Sequence, residues 1–321
     1  MIKGRIKIVV PGDDPPQIQN SPHLERLKDY GDLTLYTDRP KDRAEKIARV
    51  AGTEIIMNTR SAVTWGNEEF AQLPELKMIT TCSIGTDNFD LAAAKKHRIV
   101  ISNQPGKTAP VVAEHIFGMM FAVAKRVAFF TADMKQGRWT QMDNVMLRGK
   151  KLGIIGTGAI GAEMARLGKA IGMEVLAWTY NPSAKRARVM GVTFKALDEV
   201  LAEADVISIH VKLTEDSHHL IGAKQFSKMK ENTIFLNGAR AAVVDTDALV
   251  KALHSGKLMG AGVDVYDEEP APADHPLFAC DHVVLTPHSA DSTPEGMDLL
   301  NSGAVDNVIA YLKGNPRNRV C

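Results

Sequence analysis

Short apolar runs alternate with amphipathic stretches along most of the chain, and this alternation predicts parallel strands that are joined by helices. In the N-terminal third the predicted strands are Ile6–Val10, Leu33–Tyr36, Glu54–Met57, Met78–Thr81 and Val100–Ser102. Two helices are predicted between the first three strands: one begins after Ser21-Pro22 and ends before Gly31, and the other covers Arg43–Ala51. This part of the sequence indicates a small α/β domain with its own parallel sheet.

A complete βαβ pattern occupies Lys151–Val175. An apolar run leads into the segment GTGAIG, which consists of Gly156, Thr157, Gly158, Ala159, Ile160 and Gly161. A one-sided helical pattern follows and ends at Gly172, and Val175–Trp178 is the next predicted strand. Three glycines at this spacing allow a tight turn, the approach of a pyrophosphate to the backbone, and close packing of helix on strand. Because a strand and a helix flank the glycines, the motif favours a dinucleotide site over an ordinary glycine-rich turn.

The strand–helix alternation continues on both sides of this unit. Thr108 and Pro110 begin a long apolar helix that is predicted to bridge to the next domain, and the region around Trp139 is less regular. The other predicted elements are the strands Val206–His210, Thr233–Asn237, Gly260–Asp264 and Val283–Leu285, and the helices Leu197–Ala202, Asp247–His254 and Met297–Leu312. The pattern predicts a doubly wound parallel sheet, in which ligands bind beyond the carboxyl ends of the strands.

Three segments at that edge of the predicted sheet each offer one side chain suited to chemistry: Arg240, Glu269 and His288. An arginine can grip a carboxylate with two N–H groups, a histidine can donate a proton to a carbonyl oxygen, and a nearby glutamate keeps that histidine protonated. Hydride transfer to a 2-oxo acid requires these three groups. Taken singly, each residue has an ordinary explanation, as a surface charge, a turn residue or a structural histidine.

Composition narrows the class of protein and its partners. A chain of 321 residues is long enough for two domains, and Lys+Arg 39 against Asp+Glu 38 leaves a net charge of +1, which favours neither nucleic acid nor a membrane surface. Cys82, Cys280 and Cys321 are scattered and lack a CxxC spacing, so free thiols in the cytoplasm are expected rather than disulfides, zinc or another metal. The apolar run near the start is too short for a signal peptide, and no segment approaches a membrane span.

Several ordered motifs resemble those of one family over nearly the whole chain. They are SIGTDNFDL (Ser83–Leu91), SNQPG (Ser102–Gly106), VVAEH (Val111–His115), GTGAIG, NGARAAVVD (Asn237–Asp245), DVYDEEP, TPHSA and LKGNPRNRV (Leu312–Val320). On these residues the chain resembles the D-isomer-specific 2-hydroxyacid dehydrogenases. The resemblance implies an oxidoreductase that transfers hydride between NAD(H) or NADP(H) and a small 2-oxo or D-2-hydroxy acid, such as glyoxylate or hydroxypyruvate.

The resemblance also implies the domain organisation. A Rossmann-type, doubly wound NAD(P)-binding domain (residues 104–288) is expected to be inserted into a smaller, flavodoxin-like α/β substrate domain (residues 1–103 and 289–321). Members of the family dimerise through the nucleotide domain, and the apolar stretch Ile116–Phe130 could form such a contact. Burial of that stretch inside the monomer is the competing explanation.

Roles for individual residues follow from the same resemblance. Arg240 would bind the substrate carboxylate and polarise its carbonyl, His288 would be the proton donor, and Glu269 would pair with His288. The residues expected to bind the cofactor are Gly156, Gly158, Ala159, Ile160, Gly161, Thr179, His210, Ala239 and Asp264, of which Asp264 would accept from the nicotinamide carboxamide. Backbone N–H groups of Ser83, Ile84 and Gly85 would bind the substrate, and Arg60 could reach it too, although an exposed loop arginine is the simpler explanation.

The cofactor preference depends on the end of the second strand of the nucleotide domain. An Asp or Glu there usually binds the ribose 2′-OH of NAD, but this position falls on Thr179. Lys185 and Arg186 lie just downstream, and an exposed lysine on a helix has no necessary function. We therefore predict a relaxed preference, with both cofactors used.

Three other functions remain open at this level. Formate dehydrogenases of the family carry a glutamine where Glu269 stands, which argues against that activity. Phosphite dehydrogenases keep the same three catalytic residues. Corepressors of the family bind dinucleotide and grip partner proteins, and they carry a long disordered tail, whereas this sequence stops soon after Asn318.

Overall fold

The computed structural model describes residues 5–59 and 63–321. The chain forms two compact units: the first contains the residues up to Thr108 together with Ser292–Cys321, and the second is Ala109–Asp291. Both divisions fall a few residues after the boundaries expected from the sequence. Within the described residues, no helix is long and apolar enough to cross a membrane.

The first unit contains a parallel sheet of five strands: β1 (Ile6–Val10), β2 (Gly31–Leu35), β3 (Ile55–Asn58), β4 (Met78–Thr81) and β5 (Val100–Ser102). Their order is β2-β1-β3-β4-β5, the flavodoxin-like order that places a topological switch between β1 and β3. The helices of this unit are a 3-10 helix (Pro22–Leu27), α1 (Arg43–Val50), α2 (Asn67–Phe70), α3 (Leu91–Lys96) and the C-terminal helix (Pro294–Leu312).

Alternate strand residues of the first sheet enter two cores, as the two-residue period of a strand requires. Ile8 and Val10 pack with Leu300 and Val308 of the C-terminal helix on one face. Val9 belongs to the core on the opposite face. The sheet is therefore covered on both sides.

The first predicted helix is the 3-10 helix Pro22–Leu27, which ends before Gly31 as expected, but its C-cap is Lys28 and not Gly31. Gly31 begins β2 opposite Ile6, and a Cβ at this position would lie 2.3 Å from the Ile6 carbonyl oxygen. The pairing of the two strands therefore requires a glycine. The C-terminal helix also begins earlier than predicted, at Pro294 instead of Met297, because the Thr293 side chain accepts from the Gly296 N–H and caps it there.

The second unit contains a parallel sheet of seven strands in the order β12-β11-β10-β9-β6-β7-β8. The strands are β6 (Lys151–Ile155), β7 (Glu174–Trp178), β8 (Thr193–Phe194), β9 (Val206–Ile209), β10 (Thr233–Asn237), β11 (Leu258–Val263) and β12 (Val283–Leu285). β6 lies between β7 and β9, so the strand order reverses at β6. This arrangement confirms the predicted doubly wound sheet and places its ligand crevice beyond Ile155.

Seven α-helices and three short 3-10 helices connect these strands in the part of the second unit that is described. The α-helices are α4 (Ala109–Ala124), α5 (Val127–Lys135), α6 (Ala159–Ala170), α7 (Ala184–Met190), α8 (Leu197–Glu203), α9 (Ala223–Lys228) and α10 (Thr246–His254). The 3-10 helices are Glu215–Ser217, Ala241–Val243 and Pro276–Ala279.

Helix α4 packs into the core of the second unit. Ile116, Met119 and Val123 are buried there, and a Cβ on Gly238 would lie 2.7 Å from Ile116 Cδ1. The part of the apolar stretch up to Ala124, which the sequence offered as a dimer contact, therefore contributes to the core of the monomer, whereas Val127 is exposed.

Candidate active site

The glycine loop between β6 and α6 has a different requirement at each of its three glycines. Gly156 has a φ of +103°, and a Cβ there would lie 2.6 Å from the His210 carbonyl carbon. A Cβ on Gly161 would lie 2.1 Å from the Gly156 carbonyl oxygen, so only glycine allows the helix this close to the loop. At Gly158, by contrast, a Cβ would meet no atom within 4 Å. The second glycine therefore leaves open space at the start of α6.

That open space lies where the first N–H groups of a helix have no intrahelical partner. Gly158 is the N-cap of α6 and has extended backbone, and Ala159 and Ile160 form the first turn. Gly158 and Ala159 are exposed, whereas Ile160 is half-buried. Such a helix start attracts phosphate through its N–H groups and its dipole. The loop thus has the geometry that a dinucleotide pyrophosphate needs.

His210 follows β9 and lies beside the glycine loop. Its Nε2 is 2.8 Å from Ser208 Oγ, while its Nδ1 is buried and has no hydrogen-bond partner among the residues that the structure describes. Burial lowers the pKa of His210 to about 3, so the imidazole is neutral. A buried polar atom without a protein partner fits a residue that completes its hydrogen bonds with a bound cofactor.

The end of β7 also lies against the glycine loop, since the Trp178 carbonyl oxygen accepts from the Gly156 N–H at 2.8 Å. Thr179 comes next and is half-buried. Arg186 extends from α7 toward the glycine loop, and its Nη1 donates to Thr157 Oγ1 at 3.2 Å. Arg186 was expected to lie downstream of the strand, but its contact with the glycine loop was not predicted. A signal was present, because the Ser183 side chain caps α7 and so places Arg186 in its first turn.

His288 and Glu269 form a direct pair at the carboxyl edge of the sheet. His288 Nδ1 lies 2.6 Å from Glu269 Oε2, and Glu269 Oε1 accepts from the Tyr266 N–H at 3.0 Å. The hydrogen bond to Glu269 raises the pKa of His288, although burial and the charge of Arg240 oppose it. Burial raises the pKa of Glu269, but the hydrogen bond and charge of His288 outweigh it, so that the net pKa is lowered. The pair therefore favours a protonated imidazole.

Arg240 follows β10, and its charge acts on both members of this pair, lowering the pKa of Glu269 and of His288. Asn237 holds the turn: its Nδ2 donates to the Arg240 carbonyl oxygen at 3.0 Å and its Oδ1 accepts from the Ala239 N–H at 3.1 Å. Arg240 Nη1 donates to the Ala239 carbonyl oxygen at 2.7 Å. The structure thus brings Arg240, Glu269 and His288 together.

Asp264 is almost fully buried, with 1% of its side chain exposed. Its Oδ1 accepts from Thr286 Oγ1 at 2.5 Å and from the Ser289 N–H at 2.9 Å, and its Oδ2 accepts from the Ala290 N–H at 3.1 Å. These contacts give the carboxylate a role in holding the turn that follows β12. Direct contact between Asp264 and a nicotinamide carboxamide stays a prediction.

The predicted substrate-binding residues belong to the first unit. Ser83 Oγ lies 2.8 Å from Thr81 Oγ1 and donates to the Gly85 carbonyl oxygen at 3.0 Å, and the Ile84 carbonyl oxygen accepts from Asn103 Nδ2 at 2.7 Å. These contacts hold the loop through its carbonyl and hydroxyl groups. The role of its N–H groups stays a prediction, and Arg60 lies outside the described residues.

A dinucleotide loop and a protonatable histidine on one sheet edge are features of a nicotinamide-dependent dehydrogenase. Residues 117–290 match the NAD binding domain of the D-isomer specific 2-hydroxyacid dehydrogenases. A glyoxylate reductase from Aeropyrum pernix is 36% identical over 307 residues, which cover 92% of each chain. The chain belongs to the D-isomer specific 2-hydroxyacid dehydrogenase family and is an NAD(P)-dependent oxidoreductase.

Solved structures of similar proteins agree with this assignment. A glyoxylate reductase from Paecilomyes thermophila has a TM-score of 0.90 at 26% identity, and the match covers 99% of each chain. An acyclic imino acid reductase in complex with NADPH and D-Arg has a TM-score of 0.88 at 26% identity, covering 98% of this chain and 100% of that one. The resemblance stated from the sequence motifs is thereby confirmed.

Proposed function

We propose that this enzyme reduces small 2-oxo acids to 2-hydroxy acids, with glyoxylate and hydroxypyruvate as its best substrates. A product that has a stereocentre, such as glycerate from hydroxypyruvate, takes the D configuration. The Glu269–His288 pair carries the proposal, because its 2.6 Å contact keeps a proton on an imidazole that lies within the field of Arg240. The Aeropyrum and Paecilomyes relatives, both named glyoxylate reductase, support the choice of a small substrate.

His288 acts as the general acid in this proposal. Its Nδ1 faces Glu269, so the proton available to a substrate is on Nε2. Nε2 gives this proton to the carbonyl oxygen as the carbonyl carbon accepts hydride, and in the oxidative direction it takes the proton back. The nicotinamide, when bound, supplies or accepts the hydride.

Arg240 binds the substrate carboxylate and polarises the adjacent carbonyl. Its planar guanidinium can present two parallel N–H groups to a carboxylate, which also fixes the orientation of the substrate. The hydrogen bonds of Asn237 to the backbone at Ala239 and Arg240 hold the turn from which the arginine extends.

The same edge of the second unit binds the cofactor. Gly156, Gly158 and Gly161 admit the pyrophosphate at the start of α6, and His210 Nδ1 offers a buried hydrogen-bonding atom next to the loop. Thr179 can hydrogen-bond a ribose hydroxyl or a phosphate oxygen, and it carries no charge that would repel a 2′-phosphate. Arg186, which contacts the loop at Thr157, adds a positive charge at this end. These groups support the use of both NAD(H) and NADP(H).

A homodimer is also part of the proposal. Among the described residues, nine large apolar side chains are exposed, and five of them lie in the segment 127–146: Val127, Met134, Trp139, Met142 and Met146. Such a concentration of exposed apolar side chains in one segment favours a protein interface, and we propose that a second copy of the chain covers this segment.

The function is tested by incubating the protein with NADH or NADPH and either glyoxylate, hydroxypyruvate, pyruvate or a bulkier 2-oxo acid, and following loss of the reduced nicotinamide absorbance. We expect the highest kcat/KM with glyoxylate or hydroxypyruvate. Parallel reactions contain the oxidised cofactor and either phosphite or formate. Turnover of phosphite or formate without turnover of any 2-oxo acid would overturn the proposal. Cofactor binding without turnover of any substrate would favour a corepressor-type binding protein.

A further inference from the structure

His115 closes the VVAEH motif, and none of the roles proposed above uses its side chain. It lies on α4, and its Nε2 is 3.0 Å from Thr286 Oγ1 and 3.6 Å from Asp264 Oδ1. Thr286 follows β12 and precedes His288 by two residues. The imidazole of His115 therefore contacts the turn that carries the proposed proton donor.

The direction of these hydrogen bonds follows from their donors. The Thr286 hydroxyl donates to Asp264 Oδ1 at 2.5 Å, so the same hydroxyl oxygen is left to accept from His115. Nε2 of His115 must then carry a hydrogen. A continuous chain of hydrogen bonds runs from His115 through Thr286 to the buried carboxylate of Asp264.

Asp264 connects this chain to the backbone around His288, because its carboxylate accepts from the N–H groups of Ser289 and Ala290. The Thr286 carbonyl oxygen also accepts from the His288 N–H and from the Tyr266 hydroxyl, each at 3.0 Å. His288 itself has a φ of +49°, in the left-handed region that residues other than glycine rarely adopt. The surrounding hydrogen bonds must hold this turn in place.

We infer that His115 and Thr286 are positioning residues, which act through Asp264 to hold the turn of His288 so that its imidazole stays aligned with Glu269. The inference rests on the proposed function for the role of His288 in catalysis. It differs from a packing role for His115, because it requires a hydrogen-bond donor at Nε2 and a hydroxyl at residue 286.

Two pairs of variants separate these explanations. His115→Phe and Thr286→Val remove the hydrogen bonds at similar size, whereas His115→Gln and Thr286→Ser keep a donor and a hydroxyl. We expect the first two to lower kcat roughly 10- to 100-fold with a smaller change in KM, as for a misplaced catalytic group. The second two should retain most of the activity. His254→Gln is the matched control, because it makes the same exchange at a histidine that contacts Cys280 and takes no part in the hydrogen bonds of His115, Thr286 and Asp264.

A readout that does not need turnover is the pKa of His288, measured by NMR on protein with labelled histidines and assigned through His288→Gln. The charged groups that act on His288 are Glu269, Arg240 and Asp264, and the hydrogen bond to Glu269 is the largest influence. Misalignment of this pair should lower the pKa of His288 in His115→Phe and Thr286→Val, in the same direction as is expected for Glu269→Gln. His115→Gln, Thr286→Ser and His254→Gln should leave the pKa of His288 unchanged.

An unchanged His288 pKa in both His115→Phe and Thr286→Val would overturn the inference, as would an equal fall in His115→Gln and Thr286→Ser. If His115→Phe does not fold, the two Thr286 variants test the same chain of hydrogen bonds. The double variant His115→Phe/Thr286→Val should lower kcat no further than the more damaging single variant does, because both substitutions break the same chain of hydrogen bonds. If the wild-type protein reduces no 2-oxo acid, the proposed function fails, and the titration still decides the positioning role.

Discussion

At the scale of single residues, the proton donor has the most direct test. Glutamine in place of His288 keeps a polar group of similar reach but cannot deliver a proton. His288→Gln should therefore lower reductive turnover by roughly 10²- to 10⁴-fold, the usual contribution of a general acid. Steady-state kinetics across the pH range measure this loss. Near-normal turnover by the variant would show that the proton comes from another group.

Glu269 should determine the pH range of the reaction. His288 must be protonated for reduction, so activity is full below its pKa and is lost as pH rises through it. Because Glu269 raises the pKa of His288, Glu269→Gln should move this loss of activity to lower pH. Profiles of kcat/KM against pH give the shift, with Glu268→Gln as the control for the same change one residue away. The idea fails if both variants keep the profile of the natural enzyme.

Activity should require an arginine at position 240, so that even the substitution by lysine impairs it. A lysine ammonium keeps the positive charge but cannot present the two parallel N–H groups of a guanidinium. We expect Arg240→Lys to raise KM for the 2-oxo acid at least about tenfold, or roughly 1.4 kcal/mol, and to lose most activity. Arg188→Lys, an exchange on the exposed part of α7, should change neither constant. An unaltered KM in Arg240→Lys would place the substrate carboxylate elsewhere.

Thr179 and Arg186 should set the cofactor preference. We expect the natural enzyme to use NADH and NADPH with kcat/KM values within about a hundredfold, or under ~3 kcal/mol. Thr179→Asp should favour NADH, because the carboxylate accepts from the 2′-OH and repels a 2′-phosphate. Arg186→Gln should weaken NADPH use while sparing NADH, and Arg188→Gln serves as its control. Strict use of NADH by the natural enzyme would contradict this account.

At the scale of elements, the apolar pattern decided what could be predicted. Strand β10 is buried and β12 is half-buried, and both have the predicted bounds, Thr233–Asn237 and Val283–Leu285, because continuous apolar runs mark them. A helix was expected at Lys185, but the bounds of α7 were not predicted, since Met190 is the one buried residue among its seven. The two-residue β8 beside it is too short to leave a pattern. The contact of Arg186 with the glycine loop was missed because it depends on where α7 begins.

The junction of β6, the glycine loop and α6 offers a matched pair of substitutions. Gly161→Ala places a methyl group against the Gly156 carbonyl oxygen, whereas Gly158→Ala places it in open space. We expect the first to lower the free energy of unfolding by about 1–3 kcal/mol, as for overpacking. The second should leave the stability of the cofactor-free protein nearly unchanged but weaken cofactor binding, because the methyl group fills the approach of the pyrophosphate.

Urea denaturation without cofactor and titration with NADH separate these two effects. If Gly158→Ala binds NADH as tightly as the natural protein, the pyrophosphate does not approach the second glycine. If Gly161→Ala is as stable as the natural protein, the loop can move away from α6 at no cost.

At the scale of the whole molecule, the sequence alone predicted alternating strands and helices but not the order of the strands. The pairing of β6 with β9 joins residues more than fifty positions apart, and no local pattern records it. The family resemblance supplied the expected fold, and the observed strand orders agree with it. The side chains of the His115–Thr286–Asp264 chain come from three distant segments, so sequence reasoning had no means to connect them.

The exposed apolar side chains of segment 127–146 predict a contact between two copies of the chain. The buried core of an interface is depleted in charge and tolerates an inserted carboxylate poorly. Trp139 and Val189 are each 78% exposed, but only Trp139 belongs to the segment, so the two form a matched pair. We expect the natural protein and Val189→Glu to show twice the mass of the chain by light scattering at micromolar concentration. Trp139→Glu should shift the protein toward the mass of a single chain. A natural protein that is monomeric, or a Trp139→Glu variant that dimerises as well as Val189→Glu, would show that this segment is not the contact.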